Sequence, residues 1–123
     1  MKEEEIKLID LQMYTLIFSL ISILISIALT YNEKLNLEGK EPFIDSEDNY
    51  NATLFNRILI LLIAISFLYI NYKSYKIAKT KEENVSNYQL QVFVAIISTV
   101  AASISLYVVS RSKQSFDADA ALE

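Results

Sequence analysis

Residues 13–31 read MYTLIFSLISILISIALTY, a run without one charged side chain. As a helix rising ~1.5 Å per residue, the stretch from Tyr14 to Tyr31 covers roughly 25 Å, close to the ~30 Å hydrocarbon layer of a bilayer. Two more runs of the same kind follow, ILILLIAISFLYINY at 58–72 and LQVFVAIISTVAASISLYVVS at 90–110. The second extends back to Leu54 if its flank, which includes Arg57, is counted. In lipid a backbone must satisfy its own hydrogen bonds, and the chain's single Gly and single Pro both lie outside these runs, so each run predicts a helix. The expected fold is therefore all-α: an integral membrane three-helix bundle, up-down-up, with spans at about 13–31, 54–72 and 90–110.

The remainder of the 123 residues is taken up by short connections and tails, which leaves no room here for a separate soluble catalytic domain. We read residues 1–123 as a single membrane domain. Cys and His are absent, which removes disulfides, thiolate or imidazole metal sites and the commonest proton-shuttle chemistry. The net charge of −4 sits in the loops and tails and argues against a generally basic surface, and neither a polyanionic partner nor nucleic acid is expected. A removable signal peptide is disfavoured because Glu3, Glu4 and Glu5 stand with Lys2 and Lys7 ahead of the first run, and no small-residue cleavage site follows it. Residues 118–123 resemble a vector-derived tail and are set aside.

Ile6, Ile9 and Met13 alternate with Lys7 and Asp10 at helical spacing, so the first helix is expected to begin before the membrane, near Ile6. Asn32 to Asn56 reads as a ~25-residue acidic loop, broken at Gly39 and Pro42, with Asp48, Asn49 or Asn51 available to cap the second helix. Lys73, Lys76, Lys79 and Lys81 follow the second run, and the positive-inside rule places them in the cytoplasm as lipid headgroup contacts. The protein is then expected in the plasma (inner) membrane with its N-terminus cytoplasmic and its C-terminus outside. The asymmetry is slight: six Lys or Arg fall inside and five outside, the latter including Arg57, Arg111 and Lys113. Tyr14, Tyr31, Phe55, Tyr69, Tyr72, Tyr75, Tyr88 and Tyr107 bracket the runs, as rings that sit at headgroup level do.

The informative pattern lies inside the runs. Gln12, Thr15, Ser19, Ser22, Ser26 and Thr30 recur at steps of three and four and make one stripe on the first helix. Gln91, Ala95, Ser98, Ala102, Ser105 and Val109, followed by Ser112, make another on the third. On the second, Ala64 and Asn71 share a face with Arg57, Ile60 and Phe67. Small side chains let helices approach closely and hydroxyls bond across the contact, so Thr15, Ser19, Ser22, Ser26, Ser98, Ala102 and Ser105 form a candidate packing face, with the first and third helices meeting in one bundle or across a dimer. The same stripe would otherwise line a water-filled lumen in an oligomer. No acidic or basic residue sits in mid-run to couple or select an ion.

Asp45-Ser46-Glu47-Asp48-Asn49 is acidic but lacks the glycine and terminal glutamate of a calcium-binding loop. In size and span number the chain resembles the small bacterial membrane lipid kinases and the three-span phage holins. Those kinases hold carboxylates and asparagine along helices at the membrane surface for metal and ATP, and no such acidic cluster lies on a run here; the holin resemblance is one of topology. The sequence thus predicts a small protein that is not an enzyme and needs no cofactor. It would act through helix–helix association, as a homo-oligomer or beside a membrane-protein partner. The alternative is an oligomeric pore or holin-like permeability protein. High Ile, Lys, Asn and Tyr with little Gly or Ala fits an AT-rich bacterial genome.

Overall fold

A computed structural model describes the backbone of residues 2–122 and the side chains through Arg111, so the side chains of Ser112, Lys113 and the 118–123 tail lie outside the described residues. The chain is all-helical: α1 covers Lys2–Leu37, α2 Ser46–Thr80 and α3 Ser86–Leu122. All three helices are long and apolar enough to cross a membrane. Only 11% of the residues in each apolar window are buried within the chain, so the Ile, Leu and Phe side chains along all three helices form a surface that water would not tolerate and lipid would. The chain is a multi-pass membrane protein by these criteria.

The helices outrun their spans. At 36 residues α1 is ~54 Å long, well beyond the ~30 Å hydrocarbon layer. It starts at Lys2, ahead of the expected Ile6, because Glu3, Glu4 and Glu5 occupy the first turn, where carboxylates favour the positive end of the helix dipole. It also continues through Leu37, and α2 begins at Ser46, so the connection is residues 38–45 and not the whole of Asn32 to Asn56. Both boundaries have local causes. Gly39 takes φ 73°, and Gly39 and Lys40 donate their N–H groups to the carbonyls of Asn36 and Leu35, a left-handed stop that glycine makes without strain. At the other side Asp45, rather than Asp48, Asn49 or Asn51, is the N-cap of α2, its carboxylate accepting the Asp48 N–H at 2.7 Å. Polarity marked this segment as loop, but caps at its two ends let helix extend into both flanks.

The second stop has the same form without a glycine: Glu82 sits at φ 60°, and the Glu82 and Glu83 N–H groups bond the carbonyls of Lys79 and Ala78.

α2 is the central helix. It packs against α1 on one side and α3 on another, while among the described residues α1 and α3 do not pack against each other. The expectation that the first and third helices meet within one chain is therefore not met. α1 pairs through Glu5 with Lys81 just past the end of α2, through Ser22 with Asn56 of α2, and through Asn32 with Ile44 just ahead of it, the pairing of a helical hairpin. Between α2 and α3 runs a groove to which α2 contributes Ala64 and Asn71 and α3 contributes Gln91 and Ser98. Among the described residues of α3, Ala95 and Ala102 are buried, seven apart, the spacing of a left-handed seam. Ala102→Leu is expected to destabilise the chain by about 1–3 kcal/mol through overpacking. Ser103→Leu at the adjacent exposed position is expected to change little, and thermal unfolding in a mild detergent compares the two.

Candidate functional site

The polar side chains that reading by period assigns to one face are divided by the fold. Along α1, Thr15 and Ser22 are buried, Ser19 and Ser26 half-buried, and Gln12 and Thr30 exposed. Thr15 donates to the Leu11 carbonyl at 2.8 Å and Ser19 to the Thr15 carbonyl at 2.9 Å, so both hydroxyls are satisfied by their own helix. Ser22 differs. Its hydroxyl donates across the contact to Asn56 Oδ1 at 2.7 Å, Asn56 Nδ2 donates to Ser26 Oγ at 2.9 Å, and Ser26 donates to the Ser22 carbonyl at 2.9 Å. The three residues close a ring of hydrogen bonds in which Asn56, only 4% exposed, is the α2 member. A buried carboxamide is tolerated at this depth because both its oxygen and its nitrogen are partnered.

Asn56 is the residue that reading by period passes over, since it sits at the edge of an acidic segment beside the more conspicuous Arg57. Its signal is positional: in a hairpin it lies about as far after the connection as Ser22 and Ser26 lie before it. Nearer the connection, Asn32 is 1% exposed and pairs with the backbone of Ile44 twice, accepting its N–H at 3.1 Å and donating to its carbonyl at 3.3 Å. Beside it the rings of Tyr31 and Phe43 stand 6.1 Å apart. These contacts fold residues 38–45 back onto the end of α1.

On α3 the structure brings Ala95 and Ala102 into the contact with α2, leaves Ser105 half-buried, and leaves Ser98 exposed. Thr99, outside the expected stripe, is half-buried and bonded to the Ala95 carbonyl at 2.8 Å. The α2–α3 groove is lined by Ala64, Phe67 and Asn71 against Gln91, Ala95 and Ser98. The side chains of Asn71, Gln91 and Ser98 make no hydrogen bond with any described residue.

At the far end of α2, Lys73 lies over the Tyr69 ring at 5.8 Å and Lys76 over Tyr72 at 5.0 Å, each one helical turn on. Both pairs set a cation and a phenol at the same level, the arrangement suited to a headgroup layer. Lys81 instead pairs with Glu5 of α1, and its hydrogen bond to that carboxylate raises the Lys81 pKa above the ordinary lysine value despite the opposing effect of desolvation. Lys79 is exposed. Among the described residues no three Asp or Glu converge as metal ligands, and Asp45 is engaged as a helix cap. No protein-family model, curated protein or solved structure matches this chain, so its chemistry is read from its own side chains.

Proposed function

We propose that the chain is a small, non-enzymatic inner-membrane protein of a bacterium that crosses the bilayer up-down-up as a single domain and acts through helix–helix association. Its N-terminus and the Lys73 to Lys81 segment face the cytoplasm, and residues 38–45 and the C-terminus face outside. The observation that carries this reading is the α2–α3 groove. Asn71, Gln91 and Ser98 line it with no hydrogen-bond partner among the described residues, and polar side chains at or below headgroup level gain by bonding to another helix. A second copy is the simplest occupant; a helix of a larger membrane protein would meet the same chemistry.

The alternative, a pore with a Ser/Thr-lined lumen, has less to support it. Thr15 and Ser22 are buried against the neighbouring helix, and the hydroxyls of Thr15, Ser19, Ser22 and Ser26 are bonded within the chain. Native mass spectrometry from nanodiscs tests the choice. The wild type is expected as a dimer or larger assembly, and Asn71→Leu as a species that dissociates about three- to tenfold more readily, the effect of losing one interhelical hydrogen bond. A wild type that is monomeric under every condition refutes self-association. A ring of four or more that passes solutes through liposomes replaces this reading with the pore.

A further inference from the structure

Between α1 and α2, on the side of Asn56 nearer residues 38–45, lies a cavity of about 440 Å³, within the size range of small-ligand sites. Glu33 and Asn36 of α1 face Asn49, Thr53 and Arg57 of α2 across it. Arg57 is half-buried, and neither it nor Glu33 forms an ion pair with any described residue, although the two share the cavity. Thr53 donates to the Asn49 carbonyl, and Ser26 and Asn56 partner each other, so the free hydrogen-bonding capacity belongs to Arg57, Glu33 and the amides of Asn36 and Asn49. The cavity shares Ser26 and Thr30 with a shallow apolar groove that runs along Ile27 and Ile23 toward the middle of the span.

A guanidinium and a carboxylate held apart in one cavity, bordered at Ser26 and Thr30 by an apolar strip, match a molecule that is negative and positive at its polar end and hydrocarbon at the other. We infer that this cleft binds a zwitterionic aminophospholipid, with the phosphate on Arg57, the ammonium on Glu33 and an acyl chain along Ile27 and Ile23. The planar fork of arginine suits phosphate oxygens bidentately. Glu33 distinguishes this ligand from an anionic lipid, which it would repel, and the apolar strip distinguishes it from a free phosphate ester. Simple snorkelling of Arg57 into the headgroup layer would leave no such selectivity.

The test uses the delipidated full chain in mild detergent, titrated with phosphatidylethanolamine, phosphatidylglycerol or phosphatidylcholine of matched acyl chains and read by native mass spectrometry. One phosphatidylethanolamine is expected to be retained per chain in preference to the other two, phosphatidylcholine failing because its methylated ammonium offers Glu33 no N–H. Arg57→Gln should weaken that retention about tenfold, as loss of a charge-assisted contact does. Glu33→Gln, at an exposed position where folding is not at stake, should weaken phosphatidylethanolamine but not phosphatidylglycerol. Equal retention of the two lipids by the wild type, or retention untouched by Arg57→Gln in a variant of unchanged helicity, overturns the proposal. Displacement by an equal concentration of soluble phosphoethanolamine overturns the lipid assignment.

Discussion

Asn32→Ala is expected to destabilise the α1–α2 hairpin by about 2–4 kcal/mol, because it strips both partners from the Ile44 backbone at a position 1% exposed. The side-chain amide there acts as a substitute strand, meeting N–H and C=O together, so no shorter side chain can replace it. Asn32→Asp keeps an acceptor for the Ile44 N–H but sets a carboxylate against the Ile44 carbonyl in a buried position, and is expected to be at least as damaging. Hydrogen exchange separates this from a general loss of stability: the Ile44 amide should lose protection in Asn32→Ala while amides in the middle of α3 keep theirs. Unchanged protection at Ile44 would mean that the glycine stop and the Asp45 cap hold residues 38–45 without Asn32.

Asn56→Ala is the second large effect, about 1–3 kcal/mol from two cross-helix hydrogen bonds of ~0.6 to ~1.7 kcal/mol each, with some cavity cost added. The freed Ser22 hydroxyl can turn to a carbonyl of its own helix, as Ser26 already does, which limits the loss. A double-mutant cycle with Ser22→Ala in bicelles measures the coupling directly. A coupling energy near the single-bond value is expected. Strict additivity would show that Asn56 contributes by volume alone and that the hydrogen-bonded ring is incidental to stability.

Both residues expose how far period alone carries an argument about this chain. The run at 13–31 fixed a helix because its length and lack of charge are local properties, and lipid offers the backbone no alternative partner. The stripe through Thr15, Ser22 and Ser26 was equally visible, but a stripe names a face and not what covers it. Pairing the first helix with the third was as consistent with the spacing as pairing it with the second. The complement that decides between them, Asn56, is one residue in a segment whose charge made it look like loop.

The same limit explains the connection. Composition reads Asn32 to Asn56 as polar, and a helix that has left the hydrocarbon is polar all round, so its turns cannot be told from loop by charge. Gly39 and Asp45 carried the true boundaries, yet Pro42 and several alternative caps stood close enough to mask them. On α3 the small residues were assigned to one face, and the fold buries Ala95 and Ala102 against α2 while Ser98 stays exposed in the groove beside them.

By itself, then, the sequence determined three helices of membrane-crossing length, their aromatic and basic ends, and the small-residue faces, since each follows from the chemistry of neighbouring residues. Only the tertiary structure decided that α2 is central, that Asn56 closes on Ser22 and Ser26, and that Arg57 and Glu33 share a cavity without pairing. Those are contacts between residues far apart in the chain. Their register depends on where two helices stop and turn, which no single helix encodes.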